Sequence, residues 1–158
     1  MSLDDIYIQK ALADGASLSS DIQLFIEENI KPIIGITGSN GKSTVTTLVG
    51  DILQCAGKKV CVAGNIGLPI LDAIVSGQAF DIFVLELSSF QLERLHQLNA
   101  FAVTILNLSE DHMDRYATLA DYLAAKQQVF VGAKNIVVNR DDIATMVASD
   151  IHVPVVSY

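Results

Sequence analysis

"PIIGITGSNGKSTVTT", residues 32–47, passes from an apolar run through a glycine-rich turn into a segment of helical character. The run 32–37 predicts a buried strand and 42–56 the helix after it. Between them, the backbone N–H groups of Gly38, Ser39, Asn40 and Gly41 can curl into a nest for an anion, and the following helix offers that anion its positive end. Lys42 adds a full charge, Ser43 a hydroxyl suited to a Mg²⁺ shell, and Thr44 completes the phosphate-binding stretch. The commoner phosphate-loop pattern has a glycine five positions before the last one, where this chain has Ile36; its glycine sits at 38 instead.

Outward from this loop, short apolar runs alternate with longer helical segments. Strands are expected at 32–37, 59–64, 81–87, 101–108, 135–140 and 153–157, and helices near 42–56, 68–76, 90–97, 119–131 and 142–149. Several of the runs are continuously apolar, as strands covered on both faces must be. The fold class is therefore α/β, a three-layer P-loop-type domain with a mainly parallel sheet of about six strands flanked by helices. Residues 3–13 and 20–29 read as helices of an N-terminal lead-in (1–31), with Met1–Leu3 set aside as a possible expression remnant. The domain proper spans 32–158.

Composition bounds the function. The chain has 158 residues, 51% of them hydrophobic, enough for one core, and no apolar stretch or N-terminal pattern of a membrane span or signal peptide. A cytoplasmic location, no membrane partner and a monomer are the expectation. The net charge of −8 comes without a basic stripe, which disfavours nucleic acid as a partner. Cys55 and Cys61 are expected to be buried as small apolar side chains rather than paired or metal-bound.

Further chemistry clusters at the carboxyl ends of the expected strands, where such sheets bind ligands. Glu86 ends the run "DIFVLE", so a hard oxygen ligand for Mg²⁺ emerges there, although a lone acid at a strand end is commonly just solvated. "NLSEDHMDRY", 107–116, crowds Glu110, Asp111, His112, Asp114 and Arg115 together; His112 can ligate a metal, and a charged surface turn is the competing reading. "TLAD", 118–121, is a capping signature that starts a helix carrying Lys126, ordinarily a solvent-seeking side chain. A continuous helix would put His112 and Lys126 about 21 Å apart, so the break at Thr118 is what lets the preceding loop fold back.

"GITGSNGKST", "AGNIG", "LELSSFQLE", "LNLSEDHMDRY", "YLAAKQQVF" and "VVNRDD", in that order, resemble the central ATP-binding domain of the Mur ligases over roughly residues 20–145. "ELSSFQL" and "EDHMDRY" are most similar to the family member that adds D-glutamate. The resemblance implies an ATP-dependent, Mg²⁺-requiring amide ligase of peptidoglycan precursor synthesis working through an acyl phosphate. It implies as substrates UDP-N-acetylmuramoyl-L-alanine and D-glutamate. By the same resemblance, Lys42 and the loop stabilise the transferring phosphoryl group, Ser43 and Glu86 hold one Mg²⁺, and His112 a second. Lys126 matches a lysine carried as a carbamate, and Asn65, Ser88 and Gln91 match positions near the nucleotide-sugar substrate. The family's flanking N- and C-terminal domains are expected to be missing, leaving a fragment inactive alone, with Lys126 hydrated and unmodified in it. A small-molecule kinase and a non-catalytic nucleotide-binding module stay open; a signalling GTPase does not, because N-K-x-D and D-x-x-G are absent.

Overall fold

Each expected strand forms, and all pair in parallel. In the computed structural model, which describes residues 6–111, 113–146 and 152–158, the order along the chain is α1 (Ile6–Ala13), α2 (Asp21–Glu28), β1 (Ile33–Thr37), α3 (Lys42–Cys55), β2 (Val60–Gly64), α4 (Ile70–Val75) and β3 (Ile82–Glu86). Then come α5 (Ser89–Leu92), β4 (Ala102–Ile105), α6 (Leu119–Gln127), a 3-10 turn (Gln128–Phe130), β5 (Ile136–Val138), a second 3-10 turn (Ile143–Thr145) and β6 (Val155–Ser157). The six strands lie in the order β2-β3-β1-β4-β5-β6. The chain moves one way from β1 to β2 and then returns past β1 to β4, so β1 marks the switch point where such sheets open a crevice.

Side-chain alternation divides the core between two faces. Ile33, Cys61, Phe83 and Leu85 point to one face, where they meet Ile22 and Phe25 of α2, Ile70 and Ala73 of α4, Leu92 of α5, and Val129 and Phe130. Ile34, Ile36, Val60, Val62 and Val84 point to the other, where Val45, Val49 and Leu53 of α3 cover them. With right-handed crossovers, β1-to-β2 carries its helix on the face opposite to the connections that run the other way. Among the described residues α3 therefore serves that second face, and a groove of about 430 Å³ lined by Ile34, Val45, Val49, Val137 and Tyr158 lies beside it. Ser20 caps α2, accepting from the Gln23 N–H at 3.1 Å. No residue of α1 is buried.

Four expectations need correction. The helix expected over 90–97 is only Ser89–Leu92, because Leu95, Leu98 and Ala100 turn into the core and Asn99 takes a left-handed backbone (φ 53°) to let them. The strand expected over 101–108 stops at Ile105; beyond it Asn107 and Ser109 bond the phosphate-type loop instead. Cys61 is buried as expected, but Cys55 is exposed. It lies about 200° round α3 from the sheet-facing Leu53. The helix expected over 142–149 is, within the described residues, the short turn Ile143–Thr145; its remainder from 147 onward lies outside them.

Candidate nucleotide-binding site

β1 delivers the loop to the carboxyl edge of the sheet. Gly38 (φ 152°) passes so close to the segment after β4 that a Cβ there would lie 3.1 Å from Leu106 Cβ, and Gly41 (φ 78°) caps α3 in the left-handed region. The Ser39 and Asn40 N–H groups are already used: the first donates to the Asn107 carbonyl (3.0 Å), the second to Asn107 Oδ1 (2.8 Å). This narrows the nest expected over 38–41. The N–H groups of Lys42, Ser43 and Thr44, in the first turn of α3, have no intrahelical acceptor and aim along the helix axis toward the crevice. They are the natural anion donors.

Two lysines border the loop. Lys42, partly buried, donates from Nζ to the Ser39 carbonyl at 3.1 Å. Lys126 was expected to be hydrated, and the structure overturns this: it is 1% exposed. Its Nζ donates to the Gly38 carbonyl at 2.9 Å, reaches Thr37 Oγ1 at 3.4 Å and lies 4.5 Å from the centre of the Tyr122 ring. On the same face of α6, Tyr122 and the small Ala125 are buried with it. Burial pushes the Lys126 ammonium down to about 8, the Lys42 charge adds to the effect, and Asp111 pulls the other way.

Glu86 ends β3 in register with Ile36, one residue before Thr37. It is 1% exposed; Oε1 accepts from Asn65 Nδ2 at 2.8 Å, and Oε2 is buried with no hydrogen-bond partner among the described residues. The Asn65 backbone N–H also donates to the Glu86 carbonyl at 2.9 Å, so Asn65 holds this carboxylate. A buried carboxylate oxygen without a donor costs free energy unless something cationic meets it, and this fits a Mg²⁺ ligand. Ser88 and Gln91 form the capping box of α5: the Ser88 N–H and hydroxyl reach Gln91 Oε1 at 3.0 and 3.1 Å, and the Gln91 N–H reaches Ser88 Oγ at 3.2 Å.

The structure thus brings Gly38 to Thr44 together with Lys126, and Asn65 together with Glu86. The expectation for His112 falls outside the described residues. Among the described residues, no three His, Cys, Asp or Glu side chains converge as a metal cluster. Thr118 does cap α6, through a reciprocal bond with Asp121. Sequence reading missed Asn107, Ser109 and Tyr122. Their only signal was polar side chains directly after a strand and an aromatic one turn before Lys126.

The fold and this site define a class. Residues 36–158 match the family model "Mur ligase middle domain", and the chain belongs to that family. It is 55% identical over 135 residues to the UDP-N-acetylmuramoylalanine--D-glutamate ligase of Pseudomonas syringae pv. tomato, covering 85% of this chain and 30% of that one. Ligases of the same name from Marinobacter nauticus and Legionella pneumophila are 51% and 47% identical, over 95% and 92% of this chain and 33% of each relative. The chain therefore spans about a third of the length of these relatives. The crystal structure of UDP-N-acetylmuramate:L-alanyl-gamma-D-glutamyl-meso-diaminopimelate ligase from Neisseria meningitides matches 99% of this chain and 56% of its own, with a TM-score of 0.71 at 18% identity, a likeness of fold.

Proposed function

We propose that this chain is the ATP-binding middle part of a ligase that joins D-glutamate to UDP-N-acetylmuramoyl-L-alanine through an acyl phosphate. The observation that carries the reading is the pairing, at the edge of β1 and β3, of a helix N-terminus and Lys42 with the buried, half-satisfied carboxylate of Glu86. The identities to D-glutamate ligases support the substrates and favour this reading over a kinase or a non-catalytic module.

In the first step a substrate carboxylate oxygen attacks the γ-phosphorus, the bond to the β-phosphate oxygen breaks, and ADP leaves. In the second, the D-glutamate amine attacks the acyl carbon, phosphate leaves, and the amine gives up a proton. Both steps concentrate negative charge beside α3. The Lys42, Ser43 and Thr44 N–H groups and the Lys42 ammonium, once it leaves the Ser39 carbonyl, meet that charge. Mg²⁺, when bound, neutralises charge on the phosphates. Ser43 and Glu86 would hold it, with Asn65 fixing the Glu86 carboxylate. His112 and Lys126 would serve a second Mg²⁺, and Ser88 and Gln91 would lie near the nucleotide-sugar.

Lys126 is the residue proposed to carry a carbamate: its neutral Nζ attacks CO₂, an N–C bond forms and a proton is released. Its burial and the closeness of Lys42 favour the neutral amine that this needs. The reading includes a cytoplasmic, monomeric enzyme. Its test is ligation by the full-length protein with UDP-N-acetylmuramoyl-L-alanine, D-glutamate and Mg-ATP, expected to yield amide, ADP and phosphate in equal amounts. The 158-residue chain alone should bind nucleotide without forming amide, since the two acceptors must be held beside the phosphate. Phosphoryl transfer to a hydroxyl acceptor with no need for an amino acid would instead establish a kinase.

A further inference from the structure

Residues 38–40 of the phosphate-type loop do not hold their shape by themselves. Six hydrogen bonds tie them to residues 107–109, which follow β4. The Ser39 N–H donates to the Asn107 carbonyl (3.0 Å), and the Asn40 N–H to Asn107 Oδ1 (2.8 Å). Asn107 Nδ2 returns a bond to the Asn40 carbonyl (3.0 Å), and Asn40 Nδ2 donates to Ser109 Oγ (3.1 Å). The Ser109 N–H donates to Ser39 Oγ (2.9 Å), which donates to the Ser109 carbonyl (3.0 Å). Through its side chain alone, Asn107 satisfies both the N–H and the carbonyl of Asn40. A side-chain amide of this length is suited to that, because it carries a donor and an acceptor on one planar group.

Residues 106–108 are themselves held from the far side. The Leu106 carbonyl accepts from Asn139 Nδ2 (2.9 Å) and from the Tyr158 hydroxyl (3.2 Å), and the Leu108 N–H donates to Asp142 Oδ2 (2.8 Å). The loop is thus braced against a segment that is anchored to the end of β5 and beyond. We propose that Asn107 is a positioning residue for phosphate binding. It fixes Ser39 and Asn40, and with them the left-handed Gly41, so that the first-turn amides of α3 converge on the phosphate before it arrives.

Without the side chain of Asn107, the competent loop becomes one state among several, and apparent affinity falls by the fraction of time it is populated. The proposal rests on the reading that this loop binds the ATP phosphates, and the experiment separates the two. In the full-length ligase, Asn107→Ala should raise the KM for ATP about tenfold, leave the KM values of the other two substrates unchanged, and lower kcat by less than the ATP KM rises. Ser109→Ala, which removes only an exposed acceptor for Asn40, should raise the ATP KM two- to threefold, and it keeps the proposal testable if Asn107→Ala does not fold. An unchanged ATP KM in the folded variant overturns the proposal, as does an equal loss across all three substrates, the mark of a purely structural role. Lys42→Ala reports on the underlying reading alone: if ATP binding survives it, the phosphate assignment fails, whereas normal ATP KM values in the Asn107 and Ser109 variants remove only the brace.

Discussion

Lys42 and Lys126 reach neighbouring carbonyls of one loop, Ser39 and Gly38, from two different helices. Lys42 stands in the first turn of α3, partly exposed, with one bond that a phosphate can replace. Lys126 stands in the last turn of α6, sealed from water beneath Tyr122, with its ammonium pushed down to about 8. Exposure decides what each can do. A hydrated lysine keeps its charge and can move to a ligand; a desolvated one is poised to lose its charge and act as an amine.

The comparison breaks first at Lys42. Lys42→Ala should lower kcat/KM for ATP in ligation by at least about 10²–10³-fold, the scale for losing one donor to a developing charge. A fall of tenfold or less in a steady-state assay would mean that Lys42 is not the mobile cation of the site.

Lys126 is tested through pH. Its folded value of about 8 lies below the ordinary 10.5, so between those two the unfolded chain binds a proton that the folded chain does not. Stability then rises with pH across that window, by up to about 3 kcal/mol. Urea unfolding in CO₂-free buffer should show this rise relative to Lys126→Met, whose profile lacks it. Parallel profiles would mean that Lys126 is solvated in solution.

Glu86→Gln keeps the shape and an acceptor for Asn65 but removes the charge on the unpaired side. The Mg²⁺ concentration for half-maximal activity should rise about tenfold. The smallest effect belongs to the cap that starts the Lys126 helix: Thr118→Ala should cost about 1 kcal/mol in thermal unfolding.

The two lysines also mark how far the sequence could be read. Lys42 was legible because everything that defines it is local: an apolar run, two glycines and a helix start within a dozen residues. All six strands were legible for the same reason, and so was the cap at Thr118. Lys126 was not, because its burial depends on α6 docking against a loop 88 residues away in the chain. Asn107 and Ser109 were hidden likewise; nothing in "NLS" says that β4 lies beside β1, which is a fact of strand order. The helix near 90–97 was overread because Leu95 and Leu98 fit a helical spacing while serving a core that the backbone enters by turning. Ser88 and Gln91 close on each other in α5, a local pattern whose place beside the substrate rests on resemblance alone.

The central claim is that the first turn of α3 is where phosphate binds, and amide NMR of the chain titrated with Mg-ADP tests it most directly. The largest shifts should fall on Gly41, Lys42, Ser43 and Thr44, with smaller ones at Asn107 and Ser109, and all should vanish in Lys42→Ala. Shifts centred instead on the apolar groove of Ile34, Val45, Val137 and Tyr158, with the α3 amides unmoved, would contradict the account.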